Sequence, residues 1–381
     1  MSRGVLMITP FCKPNIGGAE TYLDSLCNYL SSRSYRIFVV SYQPLTTRVK
    51  GKRLERKDYI EIHRVPWIGG NLFPKLMPYP ILEFLYLTPA LLIYSFFFML
   101  THSKDVDVIH AHGLNAALIG KLLKKLFSKR CVFSLHAIYE LDRRPILARM
   151  VRWISTSLDT IFALAERSKE DLEAGGLPKG KIKIAPQWVN LDVFKQLDRS
   201  VCRRELGLEG KFVVLFVGRL IEPKGVTLLL EIASKIEAED IVFLFVGDGP
   251  LATKVKMEAS VKKNILFAGK VSEDKLVEYY NAADVFVLLS QYEEGFARVV
   301  LETLACGTPI IASNRGCLPE MVDSSVGILI NPTIDEARNT ILLLYKNPDY
   351  LNKLRENCRR YSEEHFTDRN AKIIEEAYSD Q

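Results

Sequence analysis

Short apolar runs alternate with amphipathic stretches of helical period along nearly the whole chain, and this alternation constrains the fold more than any other feature. Such runs, each followed by a helical pattern, are βα units, which assemble into mostly parallel sheets. A first series puts strands near residues 4–9, 36–42, 60–65, 107–111, 131–135, 160–164 and 182–185. A linker-like stretch, "NLDVFKQLDRS", separates it from a second series: "FVVLFVG", "IVFLFVG", "NILFAG", "VFVLLS", "PIIAS" and "GILI". A length of 381 residues suits about two domains. The expected class is therefore α/β with two Rossmann-like domains, 1–190 and 191–363, and a polar C-terminal helix, about 364–381, that packs back on the first.

Composition narrows the partners. Lys plus Arg number 51 against 45 Asp plus Glu, a formal charge of +6 that suits anionic partners without pointing to nucleic acid. The seven cysteines are scattered and never spaced as C-x2-C, so neither a disulfide framework nor a zinc site is expected, and a reducing, cytoplasmic setting is. The apolar run that follows Met1-Ser2-Arg3-Gly4 is too short for a secretory signal and reads as the first strand.

One segment resists a soluble reading. Residues 79–100, "YPILEFLYLTPALLIYSFFFML", are long enough to cross a hydrocarbon core of about 30 Å, but two prolines and Glu83 interrupt them. A crossing would put the strands before and after it on opposite sides of a bilayer, where they cannot share a sheet. A buried helix pair is the leading expectation, with a membrane-dipping surface and a span as alternatives. The cationic run "TTRVKGKRLERKD" precedes this segment and reads first as a solvated surface loop. Together the two would also suit an anionic lipid surface.

In open parallel sheets, ligands gather beyond the carboxyl ends of the strands. There the first strand leads into "ITPFCKPNIGGAE", where Gly17 and Gly18 precede a helix whose free amides suit an anion or simply close a turn. The dinucleotide fingerprint G-x-G-x-x-G is missing, which argues against a nicotinamide dehydrogenase. "FVGRLIEPKG" puts Gly218, Arg219 and Lys224 past a buried strand, and two cations there suit a diphosphate. "FVGDGP" supplies Gly247 and Gly249, which let backbone approach a ligand. In "SQYEEGFARVVLETLACGTPIIAS", Glu294 sits in a loop beside Gly295 and Glu302 about one turn into a helix. Both are expected to face one crevice and to accept hydrogen bonds from sugar hydroxyls, while the amides of Phe296, Ala297 and Arg298 meet a charged leaving group.

At these residues the chain resembles the retaining nucleotide-sugar glycosyltransferases of family 4, which have the GT-B fold: two Rossmann-like domains whose parallel sheets face each other across a cleft. The resemblance spans nearly the whole chain and is strongest over 212–330, through "GRLIEPKG", "GDGP", "AADVFVLLS" and "EEGFARVVLETLACGTPIIAS". It implies that Arg219 and Lys224 clamp the donor diphosphate, with Gly18 supporting it from an acceptor domain. Glu294 would contact the donor sugar and Glu302 the ribose, and His136 in "SLHA" would lie near the reaction centre. His110 and His112 of "HAH" would have an indirect role or none. Ala297 stands where the family commonly has glycine, which bears on the identity of the sugar.

The resemblance implies transfer of a hexose from a UDP- or GDP-sugar to a glycan or lipid-linked hydroxyl in envelope glycoconjugate synthesis, without cofactor or metal. Its setting would be cytoplasmic and peripheral on the inner membrane face. "DVD" at 105–107 looks like a metal-holding D-x-D, but it precedes a strand and so falls at the sheet end away from ligands. Alternatives are a nucleotide-sugar epimerase of the same fold or a non-catalytic sugar-nucleotide binder. A Lys224→Ala change is expected to abolish turnover with little loss of folding.

Overall fold

The computed structural model describes residues 3–379 except 16, 48, 68, 69, 77 and 78. Met1 and Ser2, Arg48 of the cationic run, and residues 380 and 381 of the expected C-terminal helix lie outside the described residues. The chain forms two compact units, Met1–Gln187 with Asp368–Gln381, and Trp188–Thr367. Residues 190–200, linker-like in composition, belong to the second unit: Phe194 is buried, and the Arg359 guanidinium donates to its carbonyl at 2.9 Å.

The first unit runs β1 (Gly4–Ile8), α1 (Gly18–Ser32), β2 (Arg36–Tyr42), β3 (Leu54–Lys57), β4 (Ile60–Val65), α2 (Phe73–Leu76), α3 (Pro80–His102), β5 (Val108–His112), α4 (Leu114–Phe127), β6 (Arg130–Ser134), α5 (Pro145–Ser155), β7 (Thr160–Ala163), α6 (Glu166–Ala174) and β8 (Ile182–Ile184). Its strands order as β3-β4-β2-β1-β5-β6-β7-β8, parallel except for β3. All of β1 and nearly all of β2 are buried, as near-continuous apolar runs covered on both faces require.

The second unit runs α7 (Arg199–Leu206), β9 (Phe212–Val217), α8 (Val226–Ser234), β10 (Ile241–Val246), α9 (Ala252–Val261), β11 (Ile265–Gly269), α10 (Glu273–Ala282), β12 (Val285–Leu288), α11 (Arg298–Ala305), β13 (Ile310–Ser313), α12 (Leu318–Met321), β14 (Gly327–Ile330), α13 (Ile334–Lys346) and α14 (Pro348–His365). The parallel order β11-β10-β9-β12-β13-β14 reverses direction between β9 and β12. Asp198 starts α7 by accepting from the Ser200 and Val201 amides, a standard N-cap.

The last helix, α15 (Arg369–Ala377), packs in the first unit. Arg130 Nε donates to the Ala377 carbonyl at 2.7 Å, and Tyr29 donates to Glu375 at 3.0 Å.

Two expectations are corrected. The cationic run is not all loop, because Leu54–Lys57 pairs antiparallel with β4 through a tight turn at Asp58, φ 51°. Its alternation of Glu55 and Lys57 with Leu54 and Arg56 fits an edge strand, where charge also discourages edge-to-edge pairing. The apolar segment is one continuous helix, α3, rather than a helix pair. Pro89 removes one backbone donor, but the neighbouring Phe84 carbonyl is bonded by the Thr88 hydroxyl and by Asn115 of α4. At 23 residues α3 is ~34 Å long, enough for a bilayer, yet β1 pairs with β2 before it and with β5 after it. Both flanks share one sheet, so α3 does not cross.

Candidate active site

The reversal between β9 and β12 is where open parallel sheets gather ligands, and Lys224 and Glu294, from the loops after these two strands, meet there. After β9 the chain passes Gly218 and Arg219 into a short turn, Glu222–Lys224, and Gly225 opens α8. A Cβ on Gly225 would stand 2.2 Å from the Leu289 carbonyl oxygen, so only glycine lets this turn lie against the end of β12. That approach brings Lys224 Nζ to 2.5 Å from Glu294 Oε1. Ser290 donates to the same carboxylate, and Tyr292 donates to its other oxygen at 2.9 Å. Lys224 Nζ also lies 5.4 Å from the Tyr292 ring centroid. Burial and the Glu294 charge push the Tyr292 phenol up, with Arg219 opposing. Arg219 is exposed and makes no ion pair among the described residues.

The glycine loops run side by side. Gly218 N donates to Val246 O at 3.1 Å, Leu220 N to Asp248 O at 2.9 Å, and Leu251 N to Leu220 O at 2.9 Å, tying Gly247 and Gly249 to the turn after β9. Gly295, Phe296 and Ala297 lead into α11, with Ala297 at its N-cap position and Arg298 its first residue. Glu302 is the fifth residue of that helix and is buried. Tyr280 donates to it at 2.9 Å, and Arg298 Nε lies at 3.8 Å. Burial pushes the Glu302 carboxyl up, against the lowering effect of Arg298 and Tyr280. The structure thus brings Lys224 and Glu294 together and holds Glu302 through a different set of partners.

The first unit has its own reversal, between β1 and β5, and aromatic rings fill it. Gly17 is the N-cap residue and Gly18 the first residue of α1, whose Tyr22 ring meets His136 edge-on with centroids 5.3 Å apart. His136 follows β6; its Nε2 lies 3.1 Å from His112 Nδ1. His110 is bound on both sides, by Ser134 and by Tyr378, each at 2.7 Å. The D-x-D carboxylate Asp107 accepts from Gly4 N at 2.9 Å and so ties the amino ends of β5 and β1.

Burial alone accounts for most of the depression of the histidines, to about 3 for His110 and about 4 for His136. The sign is fixed by linkage: below ~6.5 the unfolded imidazole takes a proton that the folded one refuses. Stability is therefore fully present above ~6.5 and is lost as pH falls toward the folded values, by about 1.4 kcal/mol per pH unit for each such histidine. Urea unfolding between pH 6.5 and 4 should show a slope smaller by about one proton in His110→Phe than in the unsubstituted chain. An unchanged slope would mean that His110 titrates freely in the folded state.

Sequence reasoning assigned no role to Ser290, Tyr292 or Tyr280, which hold the two glutamates. Ser290 and Tyr292 lie within the motif itself and were legible as neighbours of Glu294. Tyr280 is on a separate helix, and its contact is purely spatial.

Comparison with known proteins bears on the family and the fold. Residues 198–365 match the family model for glycosyl transferases group 1, and residues 16–193 that for glycosyltransferase family 4. The alpha-galactosylglucosyldiacylglycerol synthase of Streptococcus pneumoniae is 31% identical over 287 residues, 69% of this chain and 75% of that protein. The chain belongs to glycosyltransferase family 4. The D-inositol 3-phosphate glycosyltransferase of Geodermatophilus obscurus is 29% identical over 251 residues, 59% of this chain and 56% of that protein. Among solved structures, sucrose-phosphate synthase from Thermosynechococcus elongatus superposes with a TM-score of 0.82 at 21% identity, covering 99% of this chain and 98% of that one. Anabaena HepE in complex with UDP-glucose gives 0.80 at 19%, covering 99% of each. The fold of this glycosyltransferase is GT-B, as the sequence implied.

Proposed function

We propose that this glycosyltransferase moves a hexose, with retention, from a UDP- or GDP-sugar to a hydroxyl of a lipid-linked or glycan acceptor at an anionic membrane surface on the cytoplasmic side. The observation that carries the reading is the Lys224–Glu294 pair at the β9/β12 reversal, with Arg219 exposed beside it. Cleavage of the donor bond leaves a more negative diphosphate and an oxocarbenium-like sugar, so cations fixed before the reaction lower the barrier. Arg219 and Lys224 hold the diphosphate, and the amides of Phe296, Ala297 and Arg298 assist. Glu294 reads the sugar hydroxyls and Glu302 the ribose. Gly218, Gly247, Gly249 and Gly295 let backbone lie close to the nucleotide. In the first unit, Gly17, Gly18 and His136 are assigned by resemblance, His136 as a neutral group that hydrogen-bonds the reacting sugar or acceptor.

No protein nucleophile is needed in this reading. The acceptor attacks from the side the diphosphate leaves, and a phosphate oxygen takes its proton. Glycoside hydrolases instead flank the bond with two carboxylates, whereas Glu294 is already engaged by three donors. The names of similar proteins support the donor class: HepE was solved with UDP-glucose, and the Streptococcus pneumoniae relative is named for a glycolipid product.

Nucleoside-diphosphate release from a panel of nucleotide sugars, with and without lipid extract and with excess chelator, tests the reading. Release is expected to require acceptor and to persist in chelator. Sugar interconversion without acceptor would mark an epimerase, binding without turnover a non-catalytic protein, and chelator loss restored by magnesium or manganese would overturn metal independence.

A further inference from the structure

Three imidazoles meet where β5 and β6 end, and the reading above uses only one of them. His110 and His112 alternate onto one face of β5, and the parallel register sets His112 opposite Ser134 of β6. His136, two residues past Ser134, comes to lie beside His112. His110 is bound at both nitrogens, by Ser134 and by Tyr378 of the last helix, so its ring cannot turn. It stacks on His112 with ring centroids 4.1 Å apart, and Tyr22 meets His112 edge-on at 6.3 Å. The His112 ring is thus held on its faces and edge.

Burial keeps both partners neutral near pH 7, His136 down at about 4 and His112 well below its ordinary value, with His110 and His136 adding to the effect on His112. A neutral imidazole carries one N–H and one bare nitrogen. The contact of 3.1 Å between His112 Nδ1 and His136 Nε2 therefore holds a single proton, and the pair has two joint states: both rings protonated on Nδ1, or both on Nε2. The two outer nitrogens, His112 Nε2 and His136 Nδ1, are buried and have no hydrogen-bond partner. One of them must carry the second proton. A buried N–H without an acceptor is a rare and costly orphan. At His112, which is 3% exposed beneath the stacked His110 ring, solvent does not relieve it. His136 is only half-buried and lies past the carboxyl end of its strand, the side of a parallel sheet where ligands gather. An N–H on its Nδ1 can meet a ligand oxygen there, which favours the state with both protons on Nδ1.

We propose that His112 is a positioning residue: it donates its Nδ1–H to His136 Nε2 and so fixes His136 as an Nδ1–H donor to a substrate hydroxyl oxygen, not as a base. The inference rests on the assignment of His136 in the proposed function and deepens it. With Nε2 occupied and Nδ1 protonated, His136 has no lone pair for the acceptor's proton, which leaves that proton to the departing phosphate oxygen. What the nitrogen of one ring does is set by the bond that the other nitrogen makes.

The full chain labelled with nitrogen-15 histidine tests the tautomer without any substrate. Long-range nitrogen–proton correlation spectra separate the two forms by their cross-peak pattern, and His136→Gln identifies the His136 signals. His136 is expected in the Nδ1–H form in the parent and in His112→Asn, whose amide nitrogen stands where Nδ1 stood. It is expected to leave that form in His112→Gln, whose amide lies one methylene further out. With nucleotide sugar and acceptor, His112→Asn should keep the turnover number within about threefold of the parent, and His112→Gln should fall about tenfold or more with the donor KM little changed. A merely structural role would instead lower both variants alike, in step with their thermal midpoints. Should His112→Gln fail to fold, His112→Phe, which keeps the flat ring and lacks the donor, replaces it. An Nε2–H form of His136 in the parent, or one tautomer throughout the series, overturns the proposal; equal turnover of the Asn and Gln variants overturns the positioning role. Absence of turnover with every donor overturns the proposed function instead, and the nitrogen spectra still decide the tautomer.

Discussion

Replacing Lys224 by alanine is expected to lower nucleoside-diphosphate release at least a hundredfold, about 2.7 kcal/mol of transition-state stabilisation, and also to destabilise the second unit. The first effect follows from removing a cation aimed at the charge that develops on the diphosphate. The second exceeds the sequence-based expectation, in which Lys224 is a loop cation whose loss costs little folding. In the structure its side chain is 18% exposed and pairs with a Glu294 side chain that is 5% exposed. Breaking a buried pair from one side leaves an uncompensated charge and costs about 3–5 kcal/mol; partial exposure and the bonds from Ser290 and Tyr292 put this case at or below the lower end. Glu294→Gln keeps the shape but leaves Lys224 without its counter-charge, so it should lower both turnover and the urea midpoint. If Lys224→Ala releases diphosphate at a rate within about threefold of the parent, the electrostatic assignment is wrong.

Gly316→Ala should damage the donor site without touching a substrate. Gly316 has φ 59°, and a Cβ built on it would lie 2.4 Å from both the amide nitrogen and the carbonyl oxygen of Glu294. The Gly316 amide also donates to Glu293 at 3.0 Å, and the Cys317 amide donates to the Glu294 carbonyl at 2.9 Å. The loop after β13 therefore clamps the loop that carries Glu294. A methyl group must push the Glu294 backbone away, and a displacement near 1 Å costs about a hundredfold in a positioned site. Both the donor KM and the turnover number are expected to worsen, with a lower melting temperature. Gly207→Ala is the control, since Gly207 has φ 65° but nothing within 4 Å of its would-be Cβ. It should cost about 1 kcal/mol of backbone strain and leave turnover unchanged. Equal effects of the two changes on KM would exclude the clamp.

The candidate site was legible to the extent that it depends on strand ends. "FVGRLIEPKG" and "FVGDGP" each announce a buried strand followed by a glycine, and the structure has β9 and β10 there. The motif around Glu294 announces a loop and a helix start, and α11 begins at Arg298. Not legible were the partners. Lys224 and Glu294 are 70 residues apart, Tyr280 and Glu302 are 22 apart, and His110 and Tyr378 are 268 apart. Each contact needs a crossover order that no local pattern contains.

The sequence by itself determined that this protein would be a pair of βα series with glycines, cations and carboxylates at strand ends, because hydrophobic periodicity is local and survives any arrangement of the strands. Only the tertiary structure decided that β9 and β12 are neighbours, which turns a loop lysine and a loop glutamate into a buried pair. It also decided that the apolar segment forms one helix, Pro80–His102, bound by one face. The sequence carries apolar side chains all round that helix, and what each meets depends on how much of β4 and α4 lies beneath it.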